Sequence, residues 1–169
     1  LSYKKIIFDC CESSLSDEEK NTLLINTNLA MQTLDERGLS PYKTFDSIGK
    51  FADLIHRYKG ENFNPRITHH TVSDDTEIVL IEPPCGSNTA IIKHKKEALF
   101  IDSGYACYKD EMETIIRKIL PSYDDMKKQV LITHADVDHC GLLPLFDEVI
   151  ASHKTAMCLN KEYNGKNGY

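Results

Sequence analysis

The stretch Thr133-His134-Ala135-Asp136-Val137-Asp138-His139-Cys140-Gly141 places four potential metal ligands within six positions, in a chain that has seven histidines in all. It follows an apolar run, Gln129-Val-Leu-Ile-Thr133, that reads as a buried strand, and it precedes a short segment, from about Cys140 to Phe146, that reads as a helix. On an extended backbone His134, Asp136 and Asp138 project to one side, and the turn that begins a helix swings His139 back toward the same cavity. Imidazole and carboxylate together suit Zn²⁺, Fe or Mn²⁺.

Two other readings compete for these residues. Asp138 could cap a helix starting near His139, its carboxylate accepting backbone amides, with His134 a satisfied histidine at a strand end. Alternatively, Asp136, Asp138, Gly141 and Asp147 fall at positions 1, 3, 6 and 12 of a calcium-loop register. Cys140 at position 5, the absence of glutamate at position 12, Pro144 inside the loop and a strand in front oppose calcium. The adjacent pair His69-His70 lies in the polar stretch 62–75, which reads as a connector, because neighbours on an extended chain point opposite ways.

The elements that would carry the motif belong to the second half of the chain. Residues 77–82, 88–93 and 98–102 read as three strands joined by short turns, hence an antiparallel meander. A helix is predicted over 110–120, with Met112, Ile115, Ile116 and Ile119 on one face and Pro121 ending it. A strand at 148–152 and a helix at about 154–163 follow, and strand-helix alternation implies a sheet covered by helices. The first half reads as a strand at 5–9 and two helices. Ser16-Asp-Glu-Glu19 is a capping box opening the first, with Leu23, Ala30, Met31 and Leu34 as its apolar stripe. The second starts near Thr44 and carries Ile48, Phe51, Ala52, Ile55 and Tyr58. Both stripes are expected to face a core, and the domain boundary is expected between residues 70 and 71.

The 169 residues, 41% hydrophobic and 27% charged with a net charge of −6, describe a globular protein and exclude disorder or collagen. No apolar run approaches the roughly 20 residues needed to cross a bilayer, so the sequence points to no membrane and to a cytoplasmic protein. The acidic balance, with no dense Lys/Arg cluster, argues against dedicated nucleic-acid binding. Six cysteines without a CxxC pair fit reduced thiols in a reducing compartment. The chain starts at Leu1 without methionine and ends in a polar stretch, which reads as part of something longer.

With these features in place, the sequence resembles the metallo-β-lactamase fold superfamily, whose signature is His-x-His-x-Asp-His after a strand. Ala98-Leu-Phe-Ile-Asp-Ser-Gly104 is similar to that family's apolar strand ending in Asp-Ser/Thr-Gly, Ser87-Asn-Thr-Ala-Ile-Ile92 to the strand before it, and Val149-Ile-Ala-Ser-His153 to the strand after the motif helix. The resemblance covers about residues 77–160. It implies an α/β (α+β) fold, half of a four-layer αββα sandwich, and a metal-dependent hydrolase acting on a small-molecule substrate. It further implies two divalent metal ions, zinc foremost with iron or manganese as alternatives, whose bound water attacks a carbonyl or phosphoryl centre. By position, His134 and Asp136 would serve one metal and Asp138 and His139 the other, with Asp138 also the catalytic residue.

Asp102 and Thr133 are the residues implied to orient ligands from behind; a simple turn with Ser103-Gly104 is the competing role for Asp102. Two departures from the family pattern matter. Asp136 stands where most members have a second histidine, which resembles the branch that includes flavodiiron reductases, so a diiron oxidoreductase is the alternative; a non-catalytic binding module is a third. The family's later ligands have no counterpart after the motif. The resemblance therefore implies a missing C-terminal half or contacts between copies, with Ile91, Leu99 and Ile132 partly exposed unless something covers them.

Overall fold

A computed structural model describes residues 15–163 of the chain, with the side chains of 161–163 left aside. The strand expected at residues 5–9 lies outside the described residues. The described residues fall into two compact units that divide between Asp53 and Leu54.

The first unit is helical. Helix α1, Asp17–Glu36, opens on the capping box read from the sequence: Ser16 Oγ accepts the Glu19 amide and Glu19 reaches back to the Ser16 amide. Helix α2, Pro41–His56, begins with proline at its first position, three residues before the predicted start, because proline needs no amide partner there. The apolar stripes are not core in the way expected. Leu23, Ile48 and Phe51 are exposed, and only Ile55 of α2 is buried. Helical periodicity marks a face that accepts a partner, and it does not say that the partner is present.

The second unit is built on one six-stranded sheet in the order β1-β2-β3-β4-β5-β6. Its strands are β1 Arg66–Ser73, β2 Thr76–Glu82, β3 Thr89–His94, β4 Glu97–Ile101, β5 Gln129–Ile132 and β6 Glu148–Ala151. The first four form the antiparallel meander, and β4, β5 and β6 pair in parallel. Residues 62–75 are therefore not a connector. Their middle is an edge strand, and the boundary expected at residue 70 falls inside it. The strand is polar because β1 lies at the sheet edge and is almost wholly solvent-facing. There Arg66 pairs with Glu82, and His69 Nδ1 lies 2.7 Å from Glu77 Oε1.

Side chains alternate across the sheet with the two-residue period of strands. Val79, Ile81, Ile91, Phe100, Val130 and Ile132 point to the buried face and join one cluster with Met112 and Ile116 of helix α3, Lys109–Ile119. Each such side chain contributes roughly 1.5–3 kcal/mol by leaving water. Ile78, Leu80, Ile92, Leu99 and Leu131 occupy the other face and are only half-buried. The expected exposure holds for Leu99. Ile91 and Ile132 have the opposite strand parity and lie in the core, which corrects their assignment. The mixed α/β unit, a single sheet with its helices, matches half of the αββα sandwich.

After β5 comes helix α4, Val137–Cys140, then a 3-10 turn at Leu143–Leu145 and, beyond β6, helix α5, His153–Tyr163. The predicted helix from Cys140 to Phe146 is thus two shorter pieces. It starts earlier, with Asp136 as its N-cap, and breaks before Pro144.

Candidate metal site

The motif emerges at the carboxyl ends of the parallel strands β4 and β5, the edge at which open α/β sheets bind ligands. Its foundation is Asp102. Directly after β4 the chain bends into the left-handed region at Asp102, φ 57°, a conformation that aspartate adopts more readily than most residues. The bend is held by the Asp102 amide donating to the Leu131 carbonyl at 2.9 Å, and it directs a buried carboxylate toward the end of β5.

That carboxylate accepts three hydrogen bonds. The Thr133 amide donates to Asp102 Oδ1 at 2.9 Å, and the Thr133 hydroxyl donates to Oδ2 at 2.8 Å. His139 Nδ1 donates to the same Oδ2 at 2.8 Å, because an ionised carboxylate can only accept. Thr133 has a single hydroxyl proton and gives it to Asp102. Its oxygen must therefore accept from His134 Nδ1, 3.0 Å away. One buried aspartate thus fixes the orientation of both rings, leaving each Nε2 as the outward atom. Both residues assigned to orient ligands, Asp102 and Thr133, sit behind the two histidines.

In front of the network, the rings of His134 and His139 lie against each other with centroids 3.8 Å apart. His134 Nε2 lies 3.2 Å from Asp136 Oδ2, and His139 Nε2 lies 3.8 Å from Asp138 Oδ2. The turn at α4 does bring His139 back toward His134. The Asp136 carboxylate makes no capping bond, and Asp138 lies inside the first turn of α4, so the capping role considered for Asp138 is not the one seen.

The donor set suits a metal. With both Nδ1 atoms hydrogen-bonded inward, each Nε2 faces a carboxylate oxygen, and two acceptors face each other favourably only across a shared cation or a second ring proton. Donors about 2.1 Å from a tetrahedral ion stand roughly 3.4 Å apart, within a few tenths of an ångström of the 3.2 Å between His134 Nε2 and Asp136 Oδ2. Among the described residues, however, no three His, Cys, Asp or Glu side chains gather as the cage of one ion. The arrangement is two donor pairs, not a closed site. His69 and His70 lie on the β1 edge strand, and His153 begins α5.

Sequence reasoning missed the residues that hold the motif's backbone. The Ser103 amide and hydroxyl both donate to the His139 carbonyl, at 2.8 and 3.0 Å, while Ser103 Oγ accepts the Leu142 amide at 3.1 Å. Ser87 Oγ donates to the Asp138 carbonyl. Gly141 passes so close to the loop after β4 that a Cβ there would stand 2.3 Å from the Ala106 nitrogen and 2.6 Å from the Gly104 oxygen. Ser87 and Ser103 lie within the stretches that carry the family resemblance, but nothing in their spacing announces a bond to a carbonyl so far along the chain. Beside this frame, burial, the Asp138 charge and the nearby thiols push the Tyr105 phenol above its ordinary pKa, and burial does the same for the Cys107 thiol.

Residues 83–157 match the Metallo-beta-lactamase superfamily. None of the curated proteins matches the chain. Among solved structures the chain is similar to a flavoprotein from Thermotoga maritima, with 21% identity, a TM-score of 0.48, and coverage of 63% of this chain and 32% of that one. It is similar to a mutant flavo di-iron protein from the same organism, with 23% identity, a TM-score of 0.47, and coverage of 63% and 32%. The chain therefore spans about a third of the length of these proteins.

Proposed function

We propose that the loop after β5 contributes to a metal-dependent hydrolase of the metallo-β-lactamase superfamily, in which His134 and Asp136 hold one ion and Asp138 and His139 the other. The observation that carries this reading is the facing of each Nε2 onto a carboxylate oxygen while each Nδ1 is hydrogen-bonded inward. Two divalent ions, zinc foremost, would supply an activated water at neutral pH and polarise the carbonyl or phosphoryl oxygen of a small-molecule substrate.

The chain's own residues supply the rest. Asp102 and Thr133 keep the imidazoles in the tautomer that presents Nε2, as outer partners of metal-binding histidines do. Asp138, whose carboxylate accepts no hydrogen bond among the described residues, is the group free to take a proton from the attacking water. Four donors divided between two ions leave each short of the three or four that a zinc site uses. The remaining ligands come from a further half of the sandwich or from a second copy, and the half-exposed face of Ile78, Leu80, Ile92, Leu99 and Leu131 is the surface such a partner would cover.

A diiron oxidoreductase is the second reading, favoured by Asp136, a hard carboxylate at the position that most of the superfamily fills with histidine. Loading the chain separately with Zn²⁺ and Fe²⁺, measuring bound metal by elemental analysis, and assaying ester and phosphodiester hydrolysis against oxygen consumption separates the two. Zinc retention that is lost in His134→Ala and His139→Ala supports the hydrolase. Retention of iron alone with oxygen uptake supports the second reading. Metal binding indifferent to both substitutions removes both.

A further inference from the structure

Asp138 belongs to the part-buried donor pair, yet no hydrogen bond among the described residues fixes its carboxylate. Its backbone is tied through its carbonyl to Ser87, and the carboxylate lies 3.8 Å from His139 Nε2. A short side chain with no hydrogen bond keeps one direction only if its neighbours leave no room for another.

Those neighbours are Gly86 and Tyr105. At Gly86, φ +97°, the space that a side chain would fill is taken by the Tyr105 ring: a Cβ there would stand 2.6 Å from Tyr105 Cδ2 and Cε2, and 3.5 Å from the Asp138 Cβ. The ring and the Asp138 side chain thus border the same gap. Tyr105 is itself held. A Cβ at Gly141 would stand 2.8 Å from the Tyr105 carbonyl carbon, and the Tyr105 ring meets Tyr108 edge-on with centroids 6.2 Å apart. Tyr108 in turn donates its hydroxyl to the Ile55 carbonyl at 2.9 Å. This chain of contacts runs from the core to Asp138 and uses no residue of the Asp102 network.

We infer that Tyr105 is a positioning residue for Asp138, its ring and the side-chain-free face of Gly86 forming the wall that aims the carboxylate toward His139 Nε2. The inference rests on the reading of Asp138 as ligand and proton acceptor. It assigns the wall to the ring rather than to the phenol oxygen, so phenylalanine should serve in place of tyrosine.

Two measurements on the same chain test it. In the metal-free protein the Asp138 side-chain carboxyl ¹³C resonance responds to the surroundings into which that group is turned. It should match the parent in Tyr105→Phe, and shift or broaden in Tyr105→Ala and in Gly86→Ala, whose new methyl must displace the ring. Zn²⁺ affinity, measured in competition with a chromophoric chelator, should fall about tenfold or more in Tyr105→Ala and stay near the parent in Tyr105→Phe, the scale of losing an outer partner of a metal ligand. The Gly86→Ala protein covers the case in which Tyr105→Ala does not fold. A parent-like carboxyl resonance in the variants that fold, Tyr105→Ala or Gly86→Ala, overturns the inference. A parent chain that binds no Zn²⁺ while the carboxyl shift persists removes the metal reading and leaves the positioning role standing.

Discussion

The two donor pairs of the site are held very differently. The Asp138–His139 pair is part-buried, with side chains 25% and 21% exposed, while the His134–Asp136 pair is 49% and 75% exposed. His139 bonds to Asp102 through its ring and to Ser103 through its carbonyl. His134 reaches the same aspartate by way of the Thr133 hydroxyl, and among the described residues the Asp136 side chain has His134 as its one polar contact. One pair is preorganised by the fold, and the other is hung in front of it. Site geometry is most exact where outer partners lock the inner ones, so on the proposed reading the inner pair would set where chemistry happens and the outer pair would adapt to what binds.

The sharpest way to break the contrast is at Gly141, which seats α4 against the loop after β4. Gly141→Ala pushes a methyl into backbone atoms that have no alternative position, and it should cost about 3 kcal/mol, read as a lowered urea midpoint. Equal stability of variant and parent would show that the inner frame is softer than described. Next in size is the difference between Asp102→Ala and Asp136→Ala. Removing Asp102 strands the Thr133 amide and hydroxyl and the His139 Nδ1 proton, for a loss of about 2 kcal/mol. Removing the exposed Asp136 should change stability by less than about 0.5 kcal/mol. Comparable losses in the two variants would erase the distinction between inner and outer pairs.

The smallest effect lies away from both pairs and serves as their reference. Hydrogen bonds from Lys93 first, and then from His69, hold the Glu77 carboxyl below its ordinary pKa. A carboxylate with a depressed folded pKa stabilises the fold above its unfolded pKa, and that contribution is lost as pH falls through the folded value. The parent should therefore lose slightly more stability than Glu77→Gln between neutral pH and the acid range below the usual glutamate value, measured by urea midpoints at each pH. Superimposable pH profiles would remove Glu77 from the account.

Much of the second half was legible because its signals are local. Short apolar runs in 77–82, 88–93 and 98–102, bounded by turns, marked three strands, and the Met112, Ile116 and Pro121 pattern marked a helix, since each needs only its own neighbours to be recognised. The four motif residues stood out by density, and Asp102 by resemblance. Strand β1 was illegible because its polar residues carry no alternation, and only its register with β2 makes it a strand. The frame of the site was illegible for a different reason. Ser87 meets Asp138 from 51 residues away and Ser103 meets His139 from 36, and no spacing rule reaches that far.

The same distances order events in time. The meander β1–β4 forms by closing short turns, whereas pairing β4 with β5 joins Leu99 to Gln129 across the whole of α3. Local loops close early and distant ones late, because closure entropy must be met before a distant contact rewards it. The bond from Thr133 to Asp102 spans 31 residues, so the ring orientations of His134 and His139 are set only after β5 has docked. By the same loop-closure argument, the carboxyl edge of β4 and β5 is expected to open before the meander. Amide hydrogens of residues 133–141 should exchange ahead of those in β2 and β3, and a ligand gripping that edge would slow the unfolding of the whole sheet.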